Sequence, residues 1–88
     1  MFITTKDNVN IYYEFHGEKN SSNKTIAFLN GIVSSCNSWE PFYTGLLKNG
    51  YNVLLHDFRG QLLSDTPKDE ITFSQHIDDF TLLLEECN

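Results

Sequence analysis

Apolar and polar residues alternate along Val9, Ile11, Tyr13 and Phe15, set against Asn8, Asn10, Glu14 and His16. Period two is the signature of a strand with one covered face. Phe2 to Thr5 is a second, β-branched strand candidate, and Lys6-Asp7-Asn8 between them is a turn, so the two runs predict a hairpin. A polar loop from His16 to Lys24 leads to Thr25-Ile-Ala-Phe-Leu29. Its apolar residues run without alternation, which predicts a strand buried on both faces. Ser38 is a candidate N-cap for a helix carrying Pro41 in its first turn. Trp39, Phe42, Tyr43, Leu46 and Leu47 form one apolar stripe on it, and Gly50 follows its end. Tyr51 to His56 encloses Val53-Leu54-Leu55, a second fully buried strand, and Asp57 to Asp65 is its exit loop. Thr72 and Gln75 have capping-box spacing at the start of a last helix. Its apolar stripe reads Phe73, Ile77, Phe80, Leu84 and Cys87, with Asp78, Asp79, Glu85 and Glu86 assigned to the outer face. The helix between two buried strands predicts a right-handed parallel crossover. The second helix predicts a further strand after it, and the 88 residues hold none.

Length and charge narrow the class. Eighty-eight residues make at most one small domain, which buries somewhat over ~60% of its unfolded surface. Six Lys and Arg against twelve Asp and Glu give a net charge of -6, which argues against a nucleic-acid partner. The acids from Asp65 onward read as a solvated helix face. Cys36 and Cys87 lie far apart and form no ligand cluster with histidine, so reduced thiols in a cytoplasmic protein are expected. No signal peptide is visible, and no apolar run reaches the ~20 residues of a membrane span.

Candidate chemistry is sparse. Ser21, Ser22, Ser34, Ser35, Ser38, Ser64 and Ser74 all lack the flanking glycines of a Gly-x-Ser-x-Gly elbow, so none is assigned as a nucleophile. His16 and His76 read as structural or solvated. His56, at the carboxyl end of a buried strand, reads as a loop stabiliser. Asp57 and Arg59 are candidates for an ion pair holding the exit loop, with recognition of an anionic substrate group as the alternative. The carboxylate pairs Asp69-Glu70, Asp78-Asp79 and Glu85-Glu86 are sequence neighbours, which do not face each other on a helix. No metal site, phosphate loop or cofactor motif is expected.

Three features in order resemble the N-terminal part of the α/β-hydrolase fold. They are an apolar strand ending at Asn30-Gly31, then Trp39 with Gly50-Tyr51 leading into Val53-Leu54-Leu55, and finally Asp57-x-Arg59-Gly60-x-x-x-Ser64-Asp65. The resemblance covers nearly the whole chain. It departs from the family where Asn30 and Gln61 replace His and where Leu62 replaces a Gly that supplies positive φ. The resemblance implies an α/β fold: a hairpin plus parallel strands in the order 1-2-4-3, one helix on each face, forming a single partial domain over residues 1–88. It implies that Asn30 and Gly31 belong to the oxyanion loop and that the Ile32 backbone N–H is an oxyanion donor. Ile32 offers no polar side chain for a halide, which favours ester, lactone or similar acyl chemistry. The nucleophile-bearing strand of the family is absent. Two expectations follow: the chain alone is inactive, and it self-associates or pairs through the open Thr25-Leu29 edge. A non-catalytic module acting through that edge is the alternative.

Overall fold

The computed structural model describes residues 1–18, 21–29 and 39–87. Its elements are β1 (Phe2–Thr4), β2 (Asn10–His16), β3 (Thr25–Leu29), α1 (Glu40–Lys48), β4 (Asn52–His56) and α2 (Phe73–Cys87). The strands form one sheet in the order β1-β2-β4-β3. β1 pairs antiparallel with β2 through a turn in which Asn8 takes φ 63°, as its short polar side chain allows. β2 pairs antiparallel with β4, and β3 runs parallel to β4 with Ala27 opposite Leu54. The hairpin is the one the residue pattern predicts, and the order is the one the resemblance implies.

β4 is the centre of the molecule, with all five residues buried. Its alternation divides the core in two. Leu54 joins Val9, Ile11 and Tyr13 on the face covered by Leu83, Phe80 and Cys87 of α2. Val53 and Leu55 point the other way, toward Trp39, Tyr43, Leu46 and Leu47 of α1 and its cap. One helix therefore covers each face. Trp39 stacks on Phe28 at 4.7 Å, fixing the start of α1 against β3. Pro41 lies in the first turn of α1, as expected, while the predicted Ser38 cap falls outside the described residues and Trp39 occupies the cap position.

Two expectations are corrected. β3 is not buried on both faces: its three central residues are half-buried and its ends exposed, because among the described residues only β4 pairs with it. The inward face of α2 is also rotated from the predicted stripe. Leu83 is fully buried at its centre, with Asp79, Phe80 and Cys87 at the neighbouring helical positions, whereas Phe73 is 79% exposed and Ile77 and Leu84 are about half exposed. Counting apolar residues assigns Asp79 outward. The fold takes it inward because Arg59 waits there to pair with it.

The rotation can be measured. Leu83→Ala should cost about 2–5 kcal/mol in chemical denaturation, and Phe73→Ala should stay within about 0.5 kcal/mol. The reverse ranking would restore the stripe read from the sequence.

Candidate functional site

In an open α/β sheet, ligands gather beyond the carboxyl ends of the parallel strands. Here those ends are Leu29 of β3 and His56 of β4. The predicted oxyanion residues Asn30, Gly31 and Ile32 lie outside the described residues. The exit loop of β4, residues 57–65, is described in full.

That loop takes over the edge of β2 where β4 ends. The Asp57 N–H donates to the Tyr12 carbonyl, and the Asp65 N–H donates to the Asn10 carbonyl. Asn10 N–H in turn donates to the Asp65 carboxylate at 2.9 Å. Tyr12 N–H donates to Ser64 Oγ at 2.9 Å, and the Ser64 hydroxyl donates to the Asp57 carbonyl. Ser64 thus bridges the two ends of the loop and ties both to β2. The Asp57 carboxylate accepts from Leu63 N–H inside the loop. Gly60 takes φ +81°, and a Cβ there would come within 2.5 Å of Ile71 Cδ1. Every named residue of the Asp57-x-Arg59-Gly60-x-x-x-Ser64-Asp65 signature has a structural task.

Arg59 has the largest one. Its buried guanidinium donates to Asp79 through Nε and Nη2, both at 2.7 Å, and to Asp7 through Nη1 at 2.8 Å. The expected Asp57–Arg59 pairing is corrected: the guanidinium reaches α2 and the β1–β2 turn instead, because its planar fork matches two carboxylates at once. Hydrogen bonds to Asp79, then to Asp7, raise the Arg59 pKa and keep it charged. Arg59, followed by the Thr5 hydroxyl, holds the Asp7 carboxyl well below the usual carboxylate range. Arg59 and Asp79 are both buried, so removing Asp79 should cost about 3–5 kcal/mol. Asp7 and Asp79 carry no sequence signal for this role, beyond the fact that a buried Arg needs acids from somewhere.

A cleft of about 490 Å³ opens beside the triad, lined in part by Lys6, Asp7, Asp78, Asp79 and Glu85. Among the described residues no cluster of three or more His, Cys, Asp or Glu has the geometry to hold a metal ion. Asp78 and Asp79 diverge around the helix, as their adjacency predicts, and only Asp79 is buried.

The histidines separate as well. His16 pairs with Glu14 at 2.9 Å and stacks on Tyr43 at 4.7 Å. His56 is almost wholly buried, packed against Phe58 at 4.9 Å and Phe80 at 5.8 Å, and His76 meets the same Phe58 at 4.9 Å. This imidazole–phenyl cluster joins the end of β4 to Phe58 of the exit loop and to α2. Burial pushes the His56 pKa down to about 4, against the opposing pull of Asp79 and Asp57.

Leu62 is the departure that the resemblance makes most consequential, and the structure answers it. Leu62 takes φ 48°, the left-handed conformation for which the family uses Gly. The loop keeps its path because hydrogen bonds on both sides of Leu62 determine it.

Left-handed backbone costs a branched residue roughly 1–2 kcal/mol, and an exposed Leu62 returns little packing. Leu62→Gly should therefore stabilise the chain by about 1 kcal/mol after the glycine's entropy is charged against it; a loss of stability in urea titration would contradict the assigned backbone. His56 sets a pH dependence. Its pKa is near 4 folded and 6.5 unfolded, so the unfolded chain takes up the proton first. Stability should be full above about pH 6.5 and fall by about 3 kcal/mol as pH drops to about 4. His56→Gln should flatten that window in equilibrium denaturation.

No model of a protein family matches the chain. Individual proteins do. The chain is 31% identical over 84 residues to a bifunctional esterase/perhydrolase of Acinetobacter calcoaceticus, a match covering 96% of this chain and 30% of that protein. A crystal structure from work on carboxylesterases of Nitrososphaera gargenis superposes with a TM-score of 0.90 at 28% identity, covering 100% of this chain and 32% of that one. An α/β hydrolase from a Medee basin deep-sea metagenome library gives 0.89 at 26% identity, covering 100% and 31%. The chain thus spans about a third of the length of these proteins. With its sheet order, its two flanking helices and its locked exit loop, the chain belongs to the α/β-hydrolase fold family.

Proposed function

We propose that this chain forms the N-terminal wall of an α/β-hydrolase cleft acting on an ester, lactone or similar acyl bond. The observation that carries the reading is the superposition of the whole sheet and both helices on a structure from work on carboxylesterases. The esterase and perhydrolase activities of the Acinetobacter relative are acyl chemistry and support the same class. In this reading Asn30 and Gly31 shape the oxyanion loop, and the Ile32 N–H is a fixed dipole aimed at the oxygen that becomes negative in the transition state. A backbone donor needs no particular side chain, which is why Ile suffices. No serine in the chain lies in a Gly-x-Ser-x-Gly elbow, so in this reading the catalytic nucleophile and its acid and histidine partners are supplied by polypeptide outside these residues. Residues 1–88 then act as one partial domain in the cytoplasm, without a cofactor of their own, and are inactive alone. Among the described residues, no helix is long and apolar enough to cross a membrane.

A second reading has its own observation. The β3 edge carries no charge, proline or bulge, the devices by which proteins discourage pairing. A non-catalytic module associating through that edge fits the feature.

The two readings separate by grafting. The 84 matched residues of the Acinetobacter relative are replaced with this chain, and hydrolysis of 4-nitrophenyl acetate is followed. The chimera should turn over, Ile32→Pro should lower kcat by about 10²–10³ with KM little changed, and Ile32→Ala should stay near the parent. A cooperatively folding chimera with no turnover above the isolated chain would defeat the hydrolase reading.

A further inference from the structure

Asn-Gly occurs twice in the chain, at 30–31 and at 49–50, and the second pair lies among the described residues. It closes α1. Asn49 is the C-cap, with φ -97° and ψ 14°, and Gly50 follows at φ +83°. Gly50 N–H donates to the Leu47 carbonyl at 3.2 Å and Tyr51 N–H to the Leu46 carbonyl at 3.1 Å, the crossed pair of bonds that ends a helix on a left-handed residue. The Asn49 side chain joins them, its Nδ2 donating to the Gly45 carbonyl at 2.8 Å. The left-handed backbone calls for glycine at 50. The same choice leaves the nitrogen after Asn49 without a side chain to shield it.

We infer that Asn49-Gly50 is a self-modification site, converted to aspartate and isoaspartate when the end of α1 opens. Gly50 N gives its proton to solvent base and attacks Asn49 Cγ. The Cγ–Nδ2 bond breaks, ammonia leaves, and a five-membered succinimide remains. Water then adds to either ring carbonyl, giving aspartate or an isoaspartate whose main chain runs through Cβ. The closed helix end forbids the first step. Ring closure needs Cβ and Gly50 N roughly eclipsed about the Cα–C bond of Asn49. At ψ 14° it is the Asn49 nitrogen that Gly50 N nearly eclipses, and Cβ stands well round the bond from it. Rotating ψ far enough pulls Gly50 N–H from Leu47 and Tyr51 N–H from Leu46, and the attacked side chain leaves Gly45. The reaction therefore samples only the opened end. Its product cannot re-form the cap. A carboxylate has no proton for the Gly45 carbonyl, and its charge meets the negative end of the helix. Isoaspartate also lengthens the main chain just before β4, the strand buried along its whole length.

The test is peptide mapping by mass spectrometry of the full chain aged at mildly alkaline pH, once folded in buffer and once unfolded in guanidinium chloride, with aspartate and isoaspartate products resolved. Amide hydrogen exchange of Gly50 and Tyr51 is read in the same buffer. The unfolded chain should convert at Asn49, and the folded chain at least about tenfold more slowly, because only the open fraction reacts. That slowing should match the protection of the Gly50 and Tyr51 amides within about threefold, since one opening exposes both. Asn49→Asp, which supplies one product directly, should lower Tm and speed exchange at Gly50 and Tyr51. An unfolded chain that keeps Asn49 intact overturns the site. Equal rates in the folded and unfolded chains overturn the gate, and so does slowing unrelated to amide protection. An Asn49→Asp chain with the parent's Tm and exchange overturns the effect on the helix end.

Discussion

One guanidinium holds the molecule's three separate parts in register. Arg59 leaves the end of β4 and reaches Asp79 on α2 and Asp7 in the β1–β2 turn. Asp79 lies 20 residues and Asp7 52 residues from Arg59, so the contact fixes tertiary geometry rather than local shape. The desolvation cost of burying the charge is offset only because both acids meet it in good geometry. That condition makes the triad selective: a shift of α2 by one helical position would carry Asp79 away and leave a buried cation behind. The rotation of α2, with Asp79 inward and Phe73 outward, follows from this constraint as much as from apolar packing.

The stability of the fold is correspondingly uneven. Around β2, the start of the β4 exit loop and α2, backbone groups are tied by Ser64, Asp65, Asp57 and Arg59. The hairpin turn is bound the same way, Thr5 N–H donating to the Val9 carbonyl and Val9 N–H to Thr5 Oγ1. At the other end of the sheet, β3 has only β4 as a strand neighbour among the described residues, and its ends are exposed. A sheet with one locked end and one open end offers a rigid frame on one side and a surface for further polypeptide on the other.

What the sequence displays and what it hides follow from the range of the interactions. Period-two and unbroken apolar runs gave the four strands, because burial acts on each strand locally. Thr72 and Gln75 announced their capping box for the same reason, and both reciprocal hydrogen bonds are present. The core face of α2 was not readable. Its register depends on Arg59, which lies 20 residues away, and no periodicity records a distant cation. The apolar composition of β3 suits a covered strand, while its exposure depends on which neighbours flank it. Asn30, Gly31 and Ile32 were legible only through resemblance, since a backbone donor leaves no mark on side-chain identity.

The same reasoning limits what the signature of the β4 exit loop says about chemistry. Asp57, Arg59, Gly60, Ser64 and Asp65 each answer to a hydrogen bond, an ion pair or a steric limit inside the fold. A motif so fully used by folding identifies a fold with confidence and a substrate not at all. Leu62 makes the point from the opposite direction. It takes the left-handed conformation of a glycine at a cost, yet the loop holds its path because the surrounding bonds over-determine it. What the loop requires at position 62 is a backbone geometry, which the neighbouring bonds impose.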